Sequence, residues 1–188
     1  MGTSTTFRMR RAGPIEPSVY CDRTVFGVVH VLKEYQDMRR PPRQEMSVAA
    51  HDILSGLAKM IFEGREGMVT KDQNGRPWVT LGDQSLAASI SHSRNVVAVA
   101  LATRPDLTVG IDIEYIDLQR PIAELAAQID MSASIDVHGF YEGWCQYEAL
   151  FKATGVLDPD QQKHLSPLAE ILLDVPADFT GKLVVCSG

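Results

Sequence analysis

The chain has 188 residues, of which 45 % are hydrophobic and 22 % charged, and its formal net charge is −6. This composition is typical of a globular domain and excludes a disordered or fibrous chain. The longest apolar run, residues 96–102, is too short to span a bilayer, and no apolar secretory stretch follows the basic N-terminus. Three scattered cysteines argue against a disulfide framework, so we expect a soluble cytoplasmic protein that does not bind membranes.

The first half of the chain predicts strands around one amphipathic helix. Residues 1–18, rich in Ser, Thr, Gly, Pro and Arg, are expected to form an irregular N-terminal arm. Ser47 is placed as the N-cap of a helix that runs to Phe62, with apolar residues on one face. The strands expected here are residues 25–32, 78–81 and 96–102.

The second half begins after a turn at residues 104–106. Residues 130–139 are expected to form a loop, and the last helix is expected to end at Gly155. The other predicted elements are a strand at 108–116 and helices at 121–129 and 140–153, and residues 168–173 and 182–186 are expected to be short strands or connectors. We therefore predict a mixed α+β fold of two similar halves, residues 19–105 and 106–188, which follow the arm.

Residues 110–114 read Gly-Ile-Asp-Ile-Glu. Alternate residues of a strand share a face, so Asp112 and Glu114 project together while the isoleucines point the other way. Adjacent carboxylates repel each other unless a cation or water intervenes, and hard oxygen ligands suit Mg²⁺. The alternative is an exposed acidic edge of a half-buried strand.

Two further segments carry groups suited to a phosphate or a metal. Glu148 and Lys152 lie four residues apart, so they share the polar stripe of a predicted helix that Trp144, Leu150 and Phe151 mark as a core helix; the alternative is a surface ion pair. Residues 91–93, Ser-His-Ser, precede a buried strand. Neighbouring strand residues point to opposite faces, which excludes a Ser–His dyad, but these groups can bind a phosphate. The alternative is a turn with a hydrogen-bonded histidine.

Charge is unevenly distributed along the chain. Residues 1–44 carry eight basic and four acidic side chains, a charge of +4, and the remaining 144 residues carry −10. Such asymmetry indicates either a surface for an anionic partner or a solvated arm. No basic domain interleaved with aromatic residues is present in the sequence, so we expect no nucleic-acid partner.

Four segments between residues 74 and 155 occur in an informative order. They are Asn74-Gly75-Arg76-Pro77, then Ser91-His92-Ser93, then Gly110-Ile111-Asp112-Ile113-Glu114, then Trp144-x-x-x-Glu148-Ala149-x-x-Lys152-Ala153-x-Gly155. In this combination the chain resembles the 4′-phosphopantetheinyl transferases, specifically the Sfp-type branch. The resemblance implies two similar α/β halves packed as a pseudo-dimer, with a coenzyme A cleft between them and a monomeric state.

The implied activity is that of a holo-[acyl-carrier-protein] synthase. Such an enzyme transfers the phosphopantetheine arm of coenzyme A to a serine of an acyl or peptidyl carrier protein and releases 3′,5′-ADP. The carrier would serve fatty-acid, polyketide or nonribosomal peptide biosynthesis. The resemblance implies that Asp112, Glu114 and Glu148 bind Mg²⁺ or Mn²⁺. The implied coenzyme A contacts are Arg76, Ser91, His92 and Lys152, and the implied catalytic residues are Glu148, Lys152 and Asp112.

Several features depart from the family pattern. Tyr147 replaces a lysine that commonly precedes the catalytic glutamate. The stretch between Glu114 and Trp144 is short and has no evident further glutamate at the family's usual acidic-helix position, and the first 70 residues match poorly. The lost positive charge near the phosphates would either slow the chemistry or shift its role to Lys152 and an N-terminal arginine, for which Arg39, Arg40 and Arg43 are the candidates. Two alternatives remain open: a weak or inactive relative that binds coenzyme A or carrier proteins, and an unrelated Mg²⁺-dependent phosphoryl-transfer or hydrolytic enzyme.

Overall fold

The computed structural model describes residues 18–21, 24–65, 67–132 and 135–188. The fold is α+β with two antiparallel sheets. Six strands build the first sheet: β1 Ser18–Cys21, β2 Val25–Val31, β3 Met68–Lys71, β4 Pro77–Leu81, β5 Gln84–Ser93 and β6 Val96–Ala102. Their order across the sheet is β1-β2-β6-β5-β4-β3. Residues 1–17 of the predicted arm lie outside the described residues.

The second sheet contains the strands β7 Leu107–Tyr115, β8 Ala169–Leu172 and β9 Phe179–Ser187. Its order is β7-β9-β8, so β7 forms one of its edges. The helices are α1 Arg43–Ile61, α2 Ile122–Gln128, α3 Val137–Thr154 and α4 Pro159–Gln162, with a 3₁₀ turn at Lys33–Tyr35. Among the described residues, every helix is too short or too polar to cross a membrane.

The sheets pack face to face, and each has a helix on its outer side. The β6 strand is apolar and wholly buried, and its alanines pack with Ile111, Ile113 and Leu183 of the second sheet. The other face of the first sheet is covered by the apolar stripe of α1, which includes Leu54. Residues of α3 pack on Val184 of β9. The two sheets therefore share one core, and α3 lies outside β7 and β9.

Two predicted helix starts were wrong. Helix α1 begins at Arg43, after Pro42 at the N-cap, and Ser47 lies inside it and donates its hydroxyl to the Arg43 carbonyl. Proline suits a helix start because the first turn needs no N–H there. Helix α3 begins at Val137, because the Asp136 carboxylate accepts from the N–H of Gly139 at 2.8 Å, so the end of the predicted loop is helical. Strands β1, β3 and β5 and the short helix α4 were not predicted.

Candidate functional site

Gly110 lets the backbone of α3 lie directly against β7. A Cβ at this position would stand 1.8 Å from the Ala149 carbonyl oxygen and 2.7 Å from the Ala153 nitrogen. Only glycine accommodates such an approach. The first residue of the Gly-Ile-Asp-Ile-Glu segment therefore brings α3 beside the carboxylates that follow it.

One face of α3 and one face of β7 meet at a cavity of about 730 Å³. Trp144, Glu148 and Lys152 are spaced by four residues on α3, so they form one stripe, and all three line the cavity. Asp112 and Glu114 line it from β7. Helix α1, β3 and β5 complete the walls with the basic or imidazole side chains Arg43, His51, Lys71 and His92.

Asp112 is the most enclosed acid of the cavity, with only 5 % of its surface exposed. Its Oδ1 accepts from Lys152 Nζ at 2.6 Å and from the Ser91 hydroxyl at 2.8 Å. Its Oδ2 is buried and has no hydrogen-bond partner. Buried carboxylate oxygens are almost always paired, so this oxygen is an acceptor that a cation or a further donor would satisfy.

Burial and mutual repulsion disfavour the ionised forms of the neighbouring acids. Desolvation, followed by the Asp112 charge, raises the pKa of Glu114 to about 7, against weaker opposition from Arg120 and the Ser93 hydroxyl. Desolvation and then Asp112 also raise the pKa of Glu148, while Lys152 opposes the shift. The three carboxylates therefore stand in an arrangement that positive charge would stabilise.

These residues fit a divalent cation by their chemistry. They offer carboxylate oxygens, one of them unpartnered, in a pocket where their charges repel, which is the donor set that Mg²⁺ and Mn²⁺ prefer. Within the described ranges, no three His, Cys, Asp or Glu side chains are grouped closely enough to hold a metal ion. Coordination by all three acids would therefore require side-chain movement.

Two of the basic or imidazole side chains in the cavity wall were not predicted from the sequence. Lys71 ends an unpredicted strand and His51 lies within α1, and neither belongs to a motif that would have indicated it. The pKa of His92 is lowered, first by burial and then by the charges of Arg43 and Lys152, which indicates a local positive potential. Of the three arginines expected to reach a ligand, Arg43 lines this cavity, whereas Arg39 stands 3.8 Å from Asp117.

Two residues of interest do not line the main cavity. Arg76 lines a neighbouring cavity of about 480 Å³, and its Nη2 donates to the Phe151 carbonyl at 3.2 Å near the end of α3. The Tyr147 hydroxyl donates to the Leu157 carbonyl at 2.7 Å. Lys152 lines both cavities, so it connects them.

The structure thus brings together Asp112, Glu114, Glu148, Lys152, Ser91 and His92, and leaves Arg76 at the adjoining cavity. Such a site can neutralise and orient a polyphosphate beside a divalent cation. Neither a family model nor a curated protein matches this chain.

Proposed function

We propose that the protein is a 4′-phosphopantetheinyl transferase of the Sfp type, with coenzyme A and an acyl or peptidyl carrier protein as substrates. The observation that carries the proposal is the shared cavity. Three separate segments, at residues 91–92, 112–114 and 148–152, supply six of the seven implied residues to its walls. Their combination of acids and cations suits a bound pyrophosphate.

In the proposed reaction, the carrier serine oxygen forms a bond to the phosphorus that bears the pantetheine arm. The bond from that phosphorus to the bridging oxygen breaks, and its electron pair leaves with 3′,5′-ADP. Glu148 takes the serine proton, directly or through a water, while Lys152 and His92 hold phosphate groups. Mg²⁺ or Mn²⁺, bound by Asp112, Glu114 and Glu148, would supply Lewis-acid charge neutralisation.

The finer fold assignment belongs to the same proposal. The first sheet with α1 would be one half of a pseudo-dimer, and the second sheet with α3 would be the other half. The boundary would fall between β6 and β7, and coenzyme A would occupy the cavity that both halves line. Residues of α1 and β5 on one side and of β7 and α3 on the other support this assignment.

The test is a mass measurement on an apo carrier protein incubated with the protein, coenzyme A and Mg²⁺. We expect the carrier to gain the mass of one phosphopantetheine arm. Glu148→Gln should abolish most of that gain, whereas Glu142→Gln, exposed on the same helix and away from the cavity, should not.

Other outcomes would replace the proposal. Coenzyme A binding without transfer to any of several carriers would identify a binding module, for which Tyr147 in place of lysine is the supporting feature. Release of 3′,5′-ADP without a carrier would identify a hydrolytic enzyme. Full transfer by Glu148→Gln would show that Glu148 acts neither as the proton acceptor nor as a necessary metal ligand.

A further inference from the structure

Three serines of β5 connect the two sheets in a regular pattern. Ser89, Ser91 and Ser93 occupy alternate positions, so they share one face of the strand. Their hydroxyls accept from the backbone N–H groups of Ile111 at 3.0 Å, Ile113 at 3.3 Å and Tyr115 at 3.0 Å. In each pair the two residues are 22 positions apart. We call this arrangement the serine ladder.

The ladder has a physical reason in the position of β7. This strand pairs with β9 on one side only, so the N–H groups on its other side need acceptors. A serine hydroxyl accepts such a bond and still has its own proton to donate. The serine ladder therefore supplies hydrogen-bond acceptors for N–H groups on the free edge of β7. Each serine hydroxyl can still donate its own proton.

Two of these three donors reach a carboxylate. The Ser91 hydroxyl donates to Asp112 at 2.8 Å, and the Ser93 hydroxyl donates to Glu114 Oε2 at 3.2 Å. Each serine thus accepts from one residue of β7 and donates to the side chain just before it. At Ser89 the preceding residue is Gly110, which has no side chain. Ser89 is therefore a step of the ladder without a carboxylate.

We propose that Ser91 and Ser93 are positioning residues, which fix the carboxylates of Asp112 and Glu114 for a divalent cation while holding the two sheets in register. The inference rests on the proposed function for the identity of that cation. One oxygen of each acid accepts from a serine hydroxyl, and for Asp112, which lines the cavity, the other oxygen is buried and has no hydrogen-bond partner. This gives Ser91 a task that differs from phosphate contact, because its proton is already donated.

The test is binding of Mn²⁺ alone to the metal-free protein, followed by electron paramagnetic resonance at a temperature where every variant is folded. Ser93→Ala and Ser91→Ala should bind Mn²⁺ about tenfold more weakly, as is typical when the group that orients a metal ligand is removed. Ser93→Thr keeps a hydroxyl and should restore the affinity. Ser89→Ala removes one step but no carboxylate contact, so its affinity should equal that of the parent.

Amide hydrogen exchange checks that each step is broken where intended. Ser89→Ala should speed exchange at Ile111, and Ser93→Ala should speed it at Tyr115. Equal Mn²⁺ affinity in the parent, Ser91→Ala and Ser93→Ala would overturn the inference and leave the proposed transferase standing. An equal loss of Mn²⁺ affinity in Ser89→Ala would also overturn the inference, because the loss would then come from disturbed packing between the sheets and not from the carboxylate contacts. A parent that binds no Mn²⁺ would overturn the inference together with the metal site.

Discussion

Lys152 Nζ lies 2.6 Å from Asp112 Oδ1, which joins the last turns of α3 to the centre of β7 by an ion pair. The same nitrogen donates to the Ile111 carbonyl at 3.1 Å. Asp112 is buried and Lys152 is mostly so, with side-chain exposures of 6 % and 25 %. Such a pair contributes little over apolar residues, but removing one partner leaves a buried charge uncompensated.

We therefore expect Lys152→Met to lower the free energy of unfolding by about 3 kcal/mol. The double variant Asp112→Asn/Lys152→Met removes both charges and should recover most of that loss. Urea unfolding of the parent, both single variants and the double variant gives the coupling between the two residues. If the two substitutions change the free energy of unfolding additively, the ion pair does not contribute to the stability of the fold.

Gly110→Ala should destabilise the protein by at least about 2 kcal/mol, because the added Cβ meets backbone atoms that no rotamer change can move. Gly56 provides the matched control. A Cβ at Gly56, within α1, would have no atom within 4 Å apart from its chain neighbours and the adjacent helix backbone, so Gly56→Ala should stabilise the protein by about 0.5–1 kcal/mol. Thermal or urea unfolding measures both. A neutral Gly110→Ala variant would contradict the close approach of α3 to β7.

Glu114→Gln should stabilise the metal-free protein at pH 8 by about 1–3 kcal/mol. The pKa of Glu114 is about 7 in the folded protein against an ordinary value of 4.5, so the folded state holds its proton more tightly. Stability is therefore lost as the pH rises from 4.5 towards 7, and the uncharged variant avoids that loss. The difference in stability between Glu114→Gln and the parent should vanish below pH 4.5, where Glu114 is protonated in both the folded and the unfolded state. Exposed Glu142→Gln serves as the control, and a variant less stable than the parent at pH 8 would contradict the prediction.

His92 should titrate below 6.5 in a nuclear magnetic resonance experiment, because burial, Arg43 and Lys152 lower its pKa. Adding 3′,5′-ADP should raise that pKa, since a bound phosphate favours the imidazolium form. By linkage, the affinity for this anion should increase as the pH falls through the pKa. The signal of His138, which lines neither cavity, should not respond. An unchanged His92 signal would place the phosphates elsewhere.

Arg43→Gln should weaken coenzyme A binding about fivefold, the effect of an exposed ionic contact. Arg40→Gln should have almost no effect, because Arg40 does not line the cavity. Isothermal titration calorimetry at two salt concentrations distinguishes the two, and only the parent's advantage over Arg43→Gln should shrink at high salt. Equal losses in both variants would instead indicate a diffuse charge effect.

The sequence predicts the elements of the candidate site better than their contacts. The strand period places Asp112 and Glu114 on one face, and the helix period aligns Glu148 with Lys152, because both patterns are local. Ser91 is different. Its hydroxyl meets a strand of the other sheet that is not its hydrogen-bonded neighbour, and no periodicity encodes such a contact. Lys71 was missed for the same reason, since a single cation at a strand end carries no pattern.

The contact at Gly110 has a consequence for tolerance to change. Where side chains separate a helix from a strand, the distance between them varies with every substitution and rotamer. At Gly110 it is set by the radii of backbone atoms, which every amino acid shares. Substitutions among the surrounding apolar residues can therefore alter stability while the spacing between the acids of β7 and the stripe of α3 stays constant.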